Sequence, residues 1–364
     1  MTRPVLRLLA DDLTGALDTA AEFSALCGPV PVRWDAAPAE GSLALSSDTR
    51  EAPREAAIAA VRALAPALAG AGIAYRKLDS LLRGNVATEL AACWASGAWR
   101  HAIIAPAFPA QRRIARGGQA LAGTAEGGWA PIPMPAWAAE GLEVRPGRPD
   151  APLPPGIAWF DAETDADLAR IAALGRAAQG PVLWCGSGGL ARALAGTAGV
   201  VPETALRPPV LGLFGSDQAA TARQLAACGE AWLPLAEAAE APRVARHLDG
   251  VGAALVSLAL PAGLPRDTAA ARIAAEFAAL LRALPRPGTL VVAGGETLRA
   301  VCAALGAQGL LATGLVRPGV PRSRLQGGAW DGLPVVSKSG AFGDAALWRD
   351  LLAANHLPRK DHRA

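Results

Sequence analysis

The sequence predicts an α/β protein of two Rossmann-like domains, each with a mostly parallel sheet flanked by helices. Short apolar runs typical of buried strands alternate with alanine-rich helical patterns in both halves of the chain. Glycines follow several of these runs directly, where parallel strands give way to helices. At 364 residues, the chain exceeds the length at which a single hydrophobic core keeps growing. We therefore expect two domains, with the active site in the interdomain cleft.

In the first half, strands are predicted where apolar runs end at polar residues, and helices where apolar residues recur every three or four positions. The predicted strands are 5–10, 42–46, 73–78, 102–105, 157–160 and 181–185. The predicted helices are 15–26, 53–69, 86–96 and 163–178. Residues 117–156 show little periodicity, and we interpret them as a long excursion that is not part of the sheet.

A poorly patterned stretch that contains prolines, 199–209, is the predicted linker. It separates a first domain, residues 1–200, from a second domain, residues 209–356. The second domain repeats the order of strand and glycine turn. Its predicted strands are 210–214, 290–293 and 335–336.

Composition favours a cytoplasmic enzyme that acts on small molecules. Thirty-five basic and 32 acidic residues leave a net charge of +3 without a long basic run, so no nucleic-acid partner is predicted. The most hydrophobic charge-free stretch, 251–264, is too short to cross a bilayer, and Asp11 and Asp12 interrupt the N-terminal apolar run. We therefore expect neither a membrane segment nor a signal peptide. The five cysteines and four histidines lack zinc-site spacing, and the cysteines are interpreted as buried thiols.

Two adjacent carboxylates, Asp11 and Asp12, end the first predicted strand just before a helix. Open α/β folds bind ligands at this carboxyl edge of the sheet. Carboxylates there could bind a polyhydroxylated substrate, hold a cation or remove a proton from a hydroxyl. One of them could instead simply cap the helix.

More polar side chains follow the next two predicted strands of the first half. They are Arg50, Lys77, Asp79, Ser80 and Arg83. Because the carboxyl ends of parallel strands share one edge, these residues could meet the two aspartates. The alternative for Asp79 and Arg83 is an ordinary surface ion pair, which contributes little.

Three glycine turns follow the predicted strands of the second domain. Exposed backbone N–H groups and a helix N-terminus make such turns suitable for phosphates, although each turn could also be simple fold geometry. A threonine could cap the helix or donate its hydroxyl, and a lysine could neutralise a polyphosphate. The residues are Gly215, Ser216, Gly294, Gly295, Glu296, Thr297, Lys338, Gly340 and Gly343.

Two common nucleotide motifs are absent or incomplete. No Walker sequence occurs, which excludes a P-loop NTPase. Residues 186–191 fit the glycine pattern of a dinucleotide site, but the acidic residue expected about twenty positions on is missing from a strand end. Glu203 lies in the linker instead. We therefore interpret 186–191 as a packing turn.

Six motifs, in order, resemble those of the four-carbon acid sugar kinase family, which includes the kinases of threonate, erythronate and 3-oxo-tetronate. The motifs are LLADDLTGALD at 8–18, KLDSLLRGN at 77–85, PAFP at 106–109, GSD at 215–217, GGET at 294–297 and KSGAFG at 338–343. The resemblance covers most of the chain, and six ordered motifs are far more specific than any one of them.

The resemblance implies an ATP-dependent kinase that phosphorylates a hydroxyl of a four-carbon sugar acid, with Mg²⁺ bridging phosphate oxygens and domain closure excluding water. Asp12 would accept the hydroxyl proton, with Asp11 as the alternate base. The acid would be bound by Arg50, Lys77, Asp79, Ser80 and Arg83, and the nucleotide by the three glycine turns. The ligands of Mg²⁺ and the oligomeric state stay open, with a homodimer as one alternative.

Two departures from the family leave other functions open. Family members usually have a Gly-Arg pair shortly after PAFP, and this chain has Arg112 in place of the glycine, followed by Arg113. The segment 117–156 is also shorter than the corresponding segment in many relatives. The alternatives are a non-catalytic sensor of sugar acid or nucleotide and an NAD-linked oxidoreductase that uses 186–191. Intact Asp12, Arg83 and Lys338 favour the kinase.

Overall fold

The computed structural model describes residues 3–35, 40–97, 99–124, 126–196, 200–261 and 263–358. The chain divides into two compact units, Met1–Val201 and Pro202–Ala364. Each contains a mostly parallel sheet flanked by helices, so the predicted fold class is confirmed. None of the described helices combines the length and apolar character that crossing a membrane requires.

The first unit is built on a parallel sheet whose described strands run in the order β2-β3-β1-β4-β11-β5-β10-β9. A separate antiparallel sheet has the order β6-β7-β8. The strands are β1 (Leu6–Ala10), β2 (Val30–Arg33), β3 (Leu43–Ser46), β4 (Ile73–Lys77), β5 (His101–Ala105), β6 (Arg113–Arg116), β7 (Gln119–Gly123), β8 (Trp129–Pro131), β9 (Val144–Pro146), β10 (Gly156–Trp159) and β11 (Val182–Gly186).

Helices cover the faces of this sheet and bury its apolar side chains. Leu9, Ile104 and Leu183 on the strands pack in one core with Leu90 of a flanking helix. The helices are α1 (Leu13–Glu22), α2 (Ser24–Cys27), α3 (Arg54–Leu64), α4 (Val86–Ser96), α5 (Asp165–Ala177) and α6 (Gly188–Ala195). The predicted helix 15–26 is therefore interrupted, at Phe23.

Residues 117–156 are more regular than the sequence predicts. Strands β7 and β8 pair with β6, and β9 pairs with β10 in parallel at the edge of the main sheet. The expectation that this whole stretch lies outside the sheet is wrong. Strands β8 and β9 have three residues each and both end in proline, so no alternating pattern can develop in the sequence.

The second unit has the strand order β13-β14-β12-β15-β18-β17-β16 among its described residues, and β17 is antiparallel to both of its neighbours. Its strands are β12 (Val210–Phe214), β13 (Trp232–Leu235), β14 (Ala253–Leu258), β15 (Thr289–Ala293), β16 (Gly309–Arg317), β17 (Val320–Gln326) and β18 (Pro334–Lys338). Its helices are α7 (Ala219–Ala226), α8 (Ala241–Val251), α9 (Arg266–Ala283), α10 (Gly295–Ala304) and α11 (Leu347–Ala353).

Strand order decides which polar segments meet. In the first unit, β3, β1 and β4 are adjacent and parallel, so the loops after them share one edge. In the second unit, β12, β15 and β18 are adjacent and parallel, so the three glycine turns also share one edge. Each unit thus concentrates its candidate residues at the carboxyl ends of neighbouring strands, where open α/β sheets bind ligands.

Candidate functional site

The loops after β1, β3 and β4 form an ionic cluster centred on Arg50. Its Nε and Nη2 donate to the two oxygens of Asp11 at 2.7 and 2.8 Å, and Nη2 also donates to Asp12 Oδ1 at 2.7 Å. The same Nη2 lies 3.6 Å from Asp79 Oδ1. With its side chain only 13% exposed, Arg50 is the counter-ion of three aspartates, and its Nε and Nη2 are engaged before any ligand binds.

Asp12 fills one of the roles that the sequence left open, that of a helix cap. As the N-cap of α1, it accepts hydrogen bonds from Gly15 N at 2.9 Å and from Thr14 Oγ1 at 2.5 Å. Burial would raise its pKa, but Arg50 and Lys77 outweigh this effect, and the net pKa is lowered. Asp12 is therefore ionised at neutral pH, held in one orientation and able to accept a proton.

Lys77 is the cation of this cluster that is available to a ligand. It is buried at the end of β4, where a Cβ on Gly15 would lie 2.8 Å from its Nζ. Its charge acts on Asp12 and Asp79. Within the part of the chain that the structure describes, its ammonium makes no hydrogen bond and no ion pair within 4.0 Å. Three N–H donors therefore face the aspartates without a direct partner.

Asp79 and Arg83 form the exposed side of the cluster. Arg83 donates from Nε and Nη2 to the two oxygens of Asp79, both at 2.8 Å, while its side chain stays 47% exposed. Burial would raise the pKa of Asp79, but Arg83 and Arg50 hold it well below its usual range. The ion pair considered as an alternative is thus present, and Ser80 lies half-buried in the same turn.

A buried layer that the sequence analysis did not identify supports the cluster. Arg76 and Glu89, both almost fully buried, form an ion pair, and Thr49 donates its hydroxyl to the same carboxylate. Arg76 also donates to Leu9 O at 3.0 Å. These bonds join β1, β4 and α4 to the loop that carries Arg50. The signal in the sequence was charged residues inside otherwise apolar elements.

Asp18 and Glu22 follow Asp12 along α1, and the sequence analysis did not identify either carboxyl group. Burial raises the pKa of Asp18 to about 6, although Lys77 opposes the shift. Burial likewise raises the pKa of Glu22 to about 8, opposed by Arg192. Glu22 Oε1 is buried without a hydrogen-bond partner among the described residues. Glu22 is therefore mostly protonated at neutral pH.

The departure from the family at Arg112 has a backbone explanation. Arg112 has φ 53° and ψ 51°, the left-handed conformation that glycine adopts without strain. Its side chain compensates, because Nη1 donates to Thr124 O at 2.8 Å and the guanidinium lies 5.9 Å from the centre of the Trp129 ring. Burial lowers the pKa of the neighbouring Arg113, and Asp79 opposes this shift. Its Nη1 donates to Gln111 O and Arg112 O, at 2.9 and 3.0 Å.

In the second unit, the three glycine turns contact one another. A Cβ on Gly215 would lie 2.4 Å from Thr297 Oγ1, and a Cβ on Gly340 would lie 2.1 Å from Ser216 Oγ. Gly294, the N-cap of α10, would place its Cβ 3.7 Å from Ser216 Cβ. A side chain at either of the first two positions would collide with these hydroxyl groups, so glycine lets the turns approach the start of α10 closely. Gly295 begins that helix.

Two charged residues of these turns are already engaged by other groups of the protein. Glu296 is exposed and pairs with Arg266 at 2.8 Å. Lys338 is only 1% exposed, and its Nζ donates to Ser339 O and Gly340 O, both at 3.0 Å. Burial, and secondarily Arg317, lowers the pKa of Lys338 to about 7. Lys338 holds its own loop in this structure, and its contact with a phosphate stays a prediction.

Residues 186–191 form a turn that the chain fills with its own backbone. A Cβ on Gly186 would lie 2.6 Å from Ala105 O, and one on Gly189 would lie 2.3 Å from Ala107 O. Ser187 Oγ donates to Ala107 O at 2.9 Å. The space beside these glycines is therefore occupied by the end of β5 and the segment after it, which favours the packing interpretation over a dinucleotide site.

Comparisons with known proteins agree with this division of the chain. Residues 6–135 match a family described as a sugar-binding N-terminal domain, and residues 211–347 match one described as a nucleotide-binding C-terminal domain. A D-threonate kinase of Cupriavidus necator is 34% identical over 94% of this chain and 96% of its own length. The chain belongs to the four-carbon acid sugar kinase family.

Other members and neighbours of the family fit the same picture. A D-threonate kinase of Bordetella bronchiseptica is also 34% identical, over 94% of this chain and 96% of that protein. A crystal structure of a protein described as a putative tRNA synthase from Salmonella typhimurium LT2 aligns with a TM-score of 0.71 and 22% identity, covering 94% of this chain and 98% of that one. That likeness supports the fold alone.

The family's chemistry implies Mg²⁺, which we tested against the donor groups. Across the described residues, no group of three or more acidic, histidine or cysteine side chains could hold a metal ion. The clustered aspartates already share Arg50. The side chains in the described ranges therefore offer no metal site of their own. A magnesium ion that arrives on nucleotide phosphates needs few protein ligands.

Proposed function

We propose that the protein is an ATP-dependent kinase that transfers a phosphoryl group to a hydroxyl of a four-carbon sugar acid. D-threonate is the first acid to test, because two relatives carry that name. The proposal rests on one observation. The same chain contains an ionic cluster in which the Lys77 ammonium has no direct partner among the described residues, and a set of glycine turns at adjacent strand ends.

The first unit suits a small acid that carries hydroxyls. Lys77 can donate to the carboxylate of the acid, and Arg83 can reach it from the exposed side of the cluster. The oxygens of Asp12 and Asp79 can accept from hydroxyls. Because Arg50 neutralises part of their charge, the aspartates do not repel an anionic substrate as strongly as three free carboxylates would.

The second unit suits a nucleotide. Backbone N–H groups at a helix start bind phosphate oxygens, and the glycines let these groups approach closely. Gly215, Gly294 and Gly340 meet around Ser216 and Thr297, two hydroxyl side chains that can donate to phosphate as well. The described metal-ligand groups are too sparse for a protein-held Mg²⁺, so Mg²⁺ would be bound with ATP.

Phosphoryl transfer demands alignment and charge neutralisation more than covalent chemistry from the protein. The accepting hydroxyl becomes strongly acidic only as its bond to phosphorus forms. A weak base is therefore sufficient if it is ionised and fixed in place. Asp12 meets both conditions, because its pKa is lowered and hydrogen bonds from Thr14, Gly15 and Arg50 orient it. Asp11 is a less suitable base, because Arg50 engages both of its oxygens and its side chain is only 2% exposed, against 14% for Asp12.

The decisive experiment is a coupled assay of ADP release with Mg·ATP across a panel of four-carbon acids, D-threonate included. We expect turnover with at least one acid and none with the matching sugar alcohol, which lacks the carboxylate. Calorimetry with the same acids separates the sensor alternative. Binding of both acid and ATP without ADP release would contradict the kinase proposal and favour a sensor.

A further inference from the structure

Arg317 lies at the same edge of the second sheet as the glycine turns, although it is far from their motifs in the sequence. It is the last residue of β16, which is antiparallel to β17, and β17 is antiparallel to β18. Strands β16 and β18 therefore run in the same direction. Arg317 pairs with Val320 of β17, and Arg322, two residues further along β17, pairs with Val336, which lies two residues before Lys338.

The guanidinium of Arg317 is only partly satisfied. Nη1 pairs with Asp344 Oδ2 at 3.0 Å, whereas Nε and Nη2 are buried and have no hydrogen-bond partner among the described residues. A Cβ on Gly343 would lie 3.5 Å from Nη2. Buried donors without acceptors are costly and uncommon in folded proteins. Two such donors beside a glycine loop indicate that an acceptor binds there.

The electrostatic surroundings favour an anion as that acceptor. Lys338 lies close enough for the charge of Arg317 to disfavour its protonation. The Nζ of Lys338 is engaged by Ser339 O and Gly340 O, so it cannot serve as the outward cation without releasing them. Arg317 keeps 36% of its side chain exposed, but Nε and Nη2 are themselves buried, so a ligand reaches these two donors only when their surroundings open. An arginine with two adjacent free N–H groups matches the geometry of a phosphate.

We propose that Arg317 binds a phosphate group of the nucleotide at the loop 338–343, while Lys338 is a positioning residue that holds this loop from beneath. The inference rests on the proposed nucleotide-binding function of the second unit. It assigns the cationic contact to a residue outside the six motifs. Nε and Nη2 donate to two oxygens of one phosphate, and Asp344 keeps the guanidinium turned toward the loop through Nη1.

Calorimetric titration of ATP and of inorganic triphosphate into the full-length protein tests the inference. Loss of a charge-assisted pair in Arg317→Met should weaken ATP and triphosphate binding about ten- to hundredfold. Arg317→Lys, which keeps the charge but not the fork, should recover part of that loss. Affinity for D-threonate should not change in either variant. Arg282→Met, which removes an exposed arginine of the same unit, is the control for net charge.

Asp344→Asn separates binding from support of the fold. It removes the charge of the pair but keeps an amide oxygen that can accept from Nη1, so the guanidinium stays oriented and ATP binding should stay within about threefold of wild type, as expected when an exposed ion pair is removed. If Asp344→Asn weakens ATP binding as much as Arg317→Met, the role of Arg317 is structural and the proposal fails. Unchanged ATP affinity in folded Arg317→Met also overturns it. A wild type that binds ATP but phosphorylates no acid contradicts the kinase proposal alone.

Discussion

The two units differ in the kind of groups that we expect to bind their ligands. In the first, charged side chains that follow three strands form a dense network around Arg50. In the second, the corresponding edge is made of glycines whose missing side chains let the turns touch. A small acid must be held by few groups, each strong, whereas a polyphosphate can be held by many backbone amides. The first site therefore depends on charge and the second on shape.

The difference predicts which substitutions each unit tolerates. Changes of charge should be most damaging in the first unit, because its ions are buried and share partners. Added volume should be most damaging in the second, because the side chains of Thr297 and Ser216 already fill the space beside Gly215 and Gly340. The buried cations follow the same division. Arg50 neutralises carboxylates, whereas Lys338 donates to backbone carbonyls.

The largest expected effect is on stability. Arg50→Met leaves three aspartates without their shared counter-ion, and removing one partner of a buried ionic network costs about 3–5 kcal/mol. Urea unfolding should report this loss. Arg54→Met, which removes an exposed arginine four residues away, is the matched control and should change stability little. Equal losses in both variants would mean that the cluster is not what holds this edge together.

The next effect is on turnover. Asp12→Asn keeps a good N-cap residue but removes the charge and the basicity, so kcat should fall about a hundredfold or more while ATP affinity stays nearly unchanged. Steady-state kinetics and calorimetry measure the two quantities. Full turnover in the variant would transfer the role to Asp11 or show that transfer needs no base.

A third prediction concerns the shape-dependent unit. In Gly340→Ala, the new methyl group would lie 2.1 Å from Ser216 Oγ, and the strain should separate the turns. Overpacking of this kind costs about 1–3 kcal/mol, which corresponds to about a five- to 150-fold loss of ATP affinity. Gly250→Ala, where no atom lies within 4 Å, is the control. Equal ATP affinities in the two variants would show that the contact between these turns is not needed for binding.

The most gradual effects are opposite pH dependences in the two units. Glu22 has an ordinary pKa of 4.5 and a folded pKa of about 8, so the folded state holds the extra proton and stability falls as pH rises between these values. Lys338 has an ordinary pKa of 10.5 and a folded pKa of about 7, so the unfolded state holds the extra proton and stability rises with pH across that window. Each slope is at most about 1.4 kcal/mol per pH unit.

The variants Glu22→Gln and Lys338→Met test these slopes one at a time. The first should remove the fall and the second the rise, as measured by urea unfolding at a series of pH values. A slope that survives its own variant would assign the proton to another group.

The sequence was informative where parallel strands bring their ends together. Asp11, Asp12, Arg50 and Asp79 could be grouped because each follows a strand of one sheet. Their pairing could not be predicted, since whether Arg50 faces a ligand or the aspartates depends on side-chain packing. The roles of these residues in binding and catalysis stay predictions, as does the homodimer.

Longer-range relations were out of reach for the same reason. Arg317 comes to the glycine loop only through the reversal at β17, and no motif marks that hairpin. The inward direction of Lys338 follows from the acceptors beneath its loop, which spacing alone does not reveal. The short strands β8 and β9 are fixed by their partners rather than by a pattern of their own.

The left-handed backbone conformation at Arg112 determines which residues can replace it without loss of stability. Glycine would relieve a strain of about 1–2 kcal/mol there. It would also give up the contact with Trp129 and raise the conformational entropy of the unfolded chain, and both changes lower stability. These opposing terms are similar in size. Glycine and arginine are therefore interchangeable solutions at this position, whereas alanine keeps the strain and has no contact to offset it. A substitution that departs from the family motif can thus be neutral for folding.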